Sequence, residues 1–123
     1  MSHSNIATAT AYYAAIEEKN VGSIAQLLHS DVEFIGPLEK LKGKDHVLEA
    51  VKGFSDHLNS LTIRAKFGAD DRVMFTYDVD FPAPVGTVRG AVLMTFQNGL
   101  ISQIELFYDS SPIGKMKDEI FTN

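Results

Sequence analysis

The chain has 123 residues, which is the length of one domain, so residues 1–123 are expected to form a single unit around one hydrophobic core. Hydrophobic residues make up 45% and charged residues 22% of the sequence, proportions that are typical of a globular protein and exclude a disordered chain. The net charge is -5 and the basic residues are scattered, which argues against a nucleic-acid partner.

Cysteine and histidine usage gives no indication of a metal or redox centre. Cysteine is absent, which excludes disulfides and thiolate chemistry, and the four histidines include no close pair at the spacing of metal ligands. We therefore expect no metal and no cofactor. The N-terminal residues lack a basic region before an apolar stretch, and no apolar run approaches the ~20 residues that span a bilayer. The expectation is a cytoplasmic protein without a membrane partner.

The first half of the chain carries helical periodicity. Apolar residues between positions 4 and 19 recur at helical spacing without Gly or Pro and predict helix one. Ser23 is suited to cap a short second helix, which is expected to end at residues 29–31. Asp45 is a suitable N-cap for helix three. The apolar face of that helix consists of Val47, Val51, Phe54, Leu58 and Leu61.

Between helices two and three the sequence predicts a short strand, residues 32–35, and then a loop at residues 38–43. After helix three the apolar period changes from about 3.6 to 2, and the remaining segments alternate as four strands. These predicted strands cover residues 61–67, 73–81, 87–96 and 100–109. Asn98-Gly99 is a typical two-residue hairpin turn. The order predicts an α+β domain with helices on one face of an antiparallel sheet.

Several short segments, spread over essentially the whole chain, resemble the SnoaL-like branch of the nuclear transport factor 2-like superfamily. The matching segments are Tyr12-Tyr13-Ala14-Ala15, Leu27-Leu28, Asp31-Val32-Glu33-Phe34, Gly36-Pro37, Lys42-Gly43-Lys44, Gly99-Leu100-Ile101 and Leu106-Phe107-Tyr108-Asp109. The resemblance implies three N-terminal helices on a strongly curved, mostly antiparallel sheet that forms a cone with an internal pocket. It also implies a dimer formed across the outer sheet face, and it does not specify one reaction.

The resemblance to the ketosteroid isomerases of this superfamily argues against their reaction. Tyr12 matches the helix-one tyrosine that donates a hydrogen bond to an oxyanion in those enzymes. The proton-moving Asp before the first strand's Pro is replaced by Gly36, and the oxyanion Asp falls on Val92 or Leu93. Steroid isomerisation by that mechanism is therefore excluded.

Two other branches of the superfamily give Asp109 a possible role in proton transfer. Members like limonene epoxide hydrolase use two Asp residues that are bridged by an Arg. Asp109 matches the final Asp of this set and Asp78 matches the other Asp, but Thr76 replaces the Arg. Polyketide cyclases use an acidic residue near the end of the last strand as a general base, and Asp109 matches it as well. An apolar pocket raises the pKa of a carboxyl group and suits it to this work. The alternative is a strand-terminal Asp that bonds to Ser110, Ser111 or the following turn.

The alternation of apolar and polar residues along the strands predicts which sheet face Asp78 and Asp109 occupy. If Tyr77 and its neighbours at every second position face the helices, Asp78 faces outward and is structural. On the last strand Asp109 shares a face with Phe107, while Leu106 and Tyr108 line the other, so both faces carry apolar side chains. Because an apolar outer face favours a second subunit, we expect a homodimer.

The pocket residues complete the functional hypotheses. His57 lies near the apolar edge of helix three, where it would reach the pocket mouth or face solvent. The residues expected to bind a ligand are Tyr12, Phe34, Phe54, His57, Met94, Phe96 and Phe107. We expect a protein that binds a small apolar molecule; the alternative is a cofactor-independent lyase, isomerase or hydrolase that uses Asp109, with Asp78, for proton transfer.

Overall fold

The computed structural model describes residues 2–109. Their helices and strands are, in chain order, α1 (Ser2–Glu17), α2 (Val21–Leu27), β1 (Leu28–Ile35), β2 (Lys40–Lys42), α3 (Lys44–His57), β3 (Ser60–Ala69), β4 (Arg72–Asp80), β5 (Thr87–Gln97) and β6 (Leu100–Tyr108). The predicted α+β class is confirmed, with three helices that precede four consecutive strands. None of the helices in this part of the chain is long and apolar enough to cross a membrane.

The six strands form one open sheet in the order β2-β1-β6-β5-β4-β3. All neighbouring strands are antiparallel except β1 and β6, which run parallel. The β5–β6 turn is the predicted Asn98-Gly99, whose φ angles of 54° and 80° match the left-handed conformation that this type of turn requires. Register shifts interrupt the pairing of β1 with β6, β3 with β4 and β5 with β6. Because such irregularities bend strands, they give the sheet a concave face.

Three boundaries differ from the prediction. Strand β1 begins at Leu28, so residues 29–31 extend the strand and do not end a helix; Leu28 is fully buried and pairs with Ile101 of β6. Residues 40–42, expected in a loop, pair with the end of β1 as the short strand β2. The helix caps are also shifted, since Asn20 accepts a hydrogen bond from the Ser23 amide and Gly43 precedes α3.

Helices α1 and α3 cover the concave face of the sheet. The predicted strand parity is confirmed in β4, where Val73, Phe75, Tyr77 and Val79 are all buried. The two helices are joined by the buried Ser55, whose hydroxyl donates to the Ile16 carbonyl at 2.5 Å, while Lys19 Nζ donates to the Ser55 carbonyl. These bonds hold the ends of α1 and α3 together above the sheet, and the enclosed core lies between the helices and the concave face.

Candidate functional site

The concave face and the two long helices enclose a cavity of about 40 Å³. Its walls come from α1, α3, β1 and the inward positions of strands β4 to β6. The lining residues are Tyr12, Tyr13, Ile16, Phe34, Val51, Phe54, Tyr77, Val79, Phe81, Val88, Ile104, Leu106 and Tyr108. Three of them, Phe54, Leu106 and Tyr108, are only partly buried and form the rim of the cavity.

The polar groups of this lining are four tyrosine hydroxyls, and no lining residue in the described part of the chain is charged. Tyr12 and Tyr13 come from α1, Tyr77 from β4 and Tyr108 from β6. The whole sequence contains four tyrosines and no tryptophan. The tyrosine absorbance and fluorescence of the protein therefore report on this one cavity.

The two adjacent tyrosines of α1 both line the cavity, because the sheet curves around the helix. Tyr12 is 2% and Tyr13 4% exposed, and their rings pack edge to face with centroids 5.0 Å apart. The Tyr13 ring also lies 6.1 Å from the ring of Phe75 and 6.0 Å from that of Tyr77, measured between centroids. Contacts of this kind fix the orientation of the rings and so the positions of their hydroxyls.

Gly90 of β5 leaves the space that the Tyr77 side chain occupies. A Cβ atom at position 90 would lie 3.0 Å from the Tyr77 hydroxyl oxygen and 3.0 Å from the Phe107 carbonyl oxygen. Both separations are shorter than an ordinary van der Waals contact. A glycine inside a strand often marks such a close approach, and here the missing side chain leaves room for the Tyr77 ring.

Burial keeps all four tyrosines in their neutral form. Desolvation, with a smaller contribution from neighbouring tyrosines, raises the pKa of Tyr12, Tyr13 and Tyr77. For Tyr108, desolvation and then the negative charge of Glu39 raise the pKa to about 12. The site therefore offers neutral phenol groups, which can both donate and accept hydrogen bonds.

Three of the predicted ligand-binding residues, Tyr12, Phe34 and Phe54, line the cavity. Two others are buried elsewhere: Met94 lies in the core, and Phe96 borders a separate, more polar depression near the start of α1. Phe107 is on the convex face of the sheet, where it is 46% exposed. His57 is half-buried at the end of α3, outside the lining, and its Nδ1 lies 2.8 Å from the Gly53 carbonyl oxygen.

The two carboxylates that were expected to transfer protons lie outside the lining. Asp78 is on the convex face, where it forms ion pairs with Arg64 at 3.3 Å and Arg89 at 3.4 Å; the second of these lacks hydrogen-bond geometry. Asp109 is exposed at the last described position, and Ser110 and Ser111 lie outside the described residues. The proton-transfer roles of Asp78 and Asp109 stay predictions.

Sequence reasoning missed Tyr77 and Tyr108 as members of the site, although the necessary signal was present. Strand parity places Tyr77 on the helix-facing side of β4 and Tyr108 on the same side of β6 as Leu106. Glu39 lies outside the lining, and its position in a predicted loop gave no signal that its charge acts on Tyr108. Within residues 2–109 no group of three or more His, Asp or Glu side chains could hold a metal ion.

The sequence and the fold both match known proteins. The model of a family described as SnoaL-like domain matches residues 9–104. A solved structure from Kribbella flavida DSM 17836 is 21% identical, with 91% of this chain and 92% of that chain covered and a TM-score of 0.84. No curated protein matches the chain.

Two further structures share the fold at low identity. An NTF2-like protein of unknown function from Cytophaga hutchinsonii ATCC 33406 is 16% identical, with 86% and 90% of the two chains covered and a TM-score of 0.78. TerC, co-crystallised with polyporic acid, is 19% identical, with 91% and 96% covered and a TM-score of 0.77.

Raising the pH is expected to unfold the protein through its tyrosines. A raised tyrosine pKa stabilises the folded state fully below the unfolded value of about 10, and this stability is lost as the pH rises towards the folded value, about 12 for Tyr108. Above about pH 10 each fully buried tyrosine lowers the free energy of unfolding by about 1.4 kcal/mol per pH unit, so Tyr12, Tyr13 and Tyr77 together contribute about 4 kcal/mol per unit.

Urea unfolding at a series of alkaline pH values, combined with phenolate absorbance, measures this effect. We expect the phenolate absorbance to rise together with the loss of the circular dichroism signal. Ionisation of more than one tyrosine in a protein that keeps its native circular dichroism would contradict the burial of Tyr12, Tyr13 and Tyr77.

Proposed function

Because the chain belongs to the SnoaL-like domain family, we propose that it binds a small, largely apolar molecule that carries oxygen, in the cavity between α1, α3 and the sheet. The observation that carries this proposal is the convergence of all four tyrosines on an otherwise apolar lining. Apolar walls favour an apolar ligand by about 25 cal/mol for each Å² removed from water. The tyrosine hydroxyls favour one with oxygen atoms.

The hydrogen bonding of the tyrosines supports this choice of ligand. Each of the four hydroxyls can both donate and accept a hydrogen bond, so each can bind an oxygen atom of a ligand. A hydrogen bond between a tyrosine hydroxyl and a ligand oxygen would contribute about 0.5–1.5 kcal/mol to binding. No lining residue among positions 2–109 is charged, which disfavours strongly ionic ligands because their desolvation would not be compensated.

The size of the cavity requires the rim to move. A volume of about 40 Å³ exceeds the ~10–15 Å³ needed for one water, whereas an engineered cavity that binds benzene measures about 150 Å³. A ligand with a six-membered ring therefore has to displace side chains. The partly buried rim residues Phe54, Leu106 and Tyr108 can move with the least loss of core packing.

Binding is proposed in preference to catalysis because of where the acidic residues lie. The alternative, a cofactor-independent lyase, isomerase or hydrolase that uses Asp109, needs a carboxylate in contact with the ligand. Asp78 is held by arginines on the convex face, and Asp109 is exposed outside the lining. The co-crystallisation of TerC with polyporic acid supports ligand binding by a protein of this fold.

Titration with 4-fluorophenol, followed by ¹⁹F NMR, tests this proposal. We expect saturable binding to the unmodified protein and a loss of about tenfold or more in affinity for Leu106→Trp, because the indole fills the rim. The matched control is Leu93→Trp, which makes the same change at a half-buried leucine on the convex face. Absence of saturable binding to the unmodified protein, or an equal loss in both variants, would contradict binding in the cavity.

We also propose that the convex face of the sheet pairs with a second copy of the chain. The large hydrophobic side chains that are exposed in the described residues are Phe67, Met74 and Phe107, with exposures of 62%, 37% and 46%. All three lie on this face, and Phe67 and Met74 are direct neighbours in the sheet. An exposed apolar patch of this kind is typical of an interaction surface.

Light scattering at micromolar concentration tests the pairing. We expect a dimer that Phe107→Lys converts to a monomer, because the pairing would bury the new charge. Ala14→Lys, an equivalent change at an exposed position of α1, should leave the dimer intact. A monomeric unmodified protein would show that the patch has another use.

A further inference from the structure

The turn between β1 and β2 lies against the rim of the cavity. The Gly36 amide donates to the Glu39 carbonyl oxygen at 2.8 Å, which closes the turn. A Cβ atom at Gly36 would be 3.9 Å from Phe34 Cε1 and 4.0 Å from Leu106 Cβ, so the turn packs on two residues of the lining. Glu39 is therefore held close to the open end of the cavity.

The sheet register places Tyr108 at the same end. Strands β1 and β6 are parallel, and Ile35 pairs with Glu105. The turn that follows Ile35 therefore lies beside the last residues of β6, which end at Tyr108. This arrangement brings an acidic side chain from one connection and a cavity tyrosine from another strand to one place.

The Glu39 carboxylate is partly shielded from solvent. Glu39 is half-buried, and its Oε1 atom is almost inaccessible to solvent. Its negative charge acts on the Tyr108 hydroxyl, because it adds to the effect of burial in raising the pKa of that tyrosine. The turn that carries Glu39 and the strand end that carries Tyr108 thus approach the same end of the cavity.

We propose that Glu39 and Tyr108 bind a hydroxyl group of the ligand at the open end of the cavity. The ligand hydroxyl donates its hydrogen to a carboxylate oxygen of Glu39, and the Tyr108 hydroxyl donates to the ligand oxygen. A carboxylate can only accept hydrogen bonds, so this pair selects a phenol or an enol over an ether or a ketone. This inference rests on the proposed function, since it identifies the class of ligand for the same cavity.

The test compares 4-fluorophenol with 4-fluoroanisole, in which a methyl group replaces the hydroxyl hydrogen. Both dissociation constants are measured by ¹⁹F NMR at neutral pH. A hydrogen bond to a charged acceptor is expected to favour the phenol by about tenfold or more in the unmodified protein. In Glu39→Gln this preference should fall towards equal affinity, because the amide can donate to the ether oxygen and accepts more weakly from the phenol.

Glu33→Gln is the matched control, since it removes a half-buried carboxylate from the same strand pair at a position that pairs with Lys42 and Gln103. It should leave the preference unchanged.

Binding of both probes with the same preference in Glu39→Gln as in the unmodified protein overturns this inference and leaves the proposed function standing. An equal loss of affinity for both probes in Glu39→Gln also overturns it, because that result indicates a structural role. If neither probe binds the unmodified protein, the proposed function fails together with this inference.

Discussion

The packing of α1 and α3 against the concave face of a bent sheet is the interaction on which the rest of the structure depends. Irregular pairing in three strand pairs bends the sheet, and the two helices are tied to each other through Ser55. Straight helices cannot fill a curved surface completely, and a cavity remains between α1, α3 and the sheet. All four tyrosines of the chain line this cavity, and it is therefore the candidate binding site.

Much of the fold, and part of the site, could be predicted from the sequence because both depend on local periodicity. The change of apolar period after helix three identified the four strands of the meander, and strand parity placed Tyr77 on the buried face and Asp78 on the convex face. The same parity would have placed Tyr108 in the site. Tyr12 was expected in the site, and its neighbour Tyr13 lines the cavity as well because the sheet wraps around α1.

The remaining features depend on contacts between distant segments, which local patterns do not report. Residues 29–31 become part of a strand because Leu28 pairs with Ile101, more than 70 residues away in the chain. Glu39 approaches Tyr108 because β1 and β6 are parallel, and nothing near Glu39 in the sequence indicates that pairing. The resemblance drew attention to Asp109, which lies outside the lining, whereas Tyr77 and Tyr108 line the cavity.

We propose that the protein binds its ligand in the tyrosine-lined cavity. A crystal structure of the protein grown with 4-bromophenol tests it most directly, because the anomalous scattering of bromine locates the ligand without ambiguity. We expect a bromine peak inside the cavity, with the phenol ring between α1 and the sheet and the rim residue Leu106 displaced. An empty cavity, or a bromine peak confined to the convex face, would contradict it.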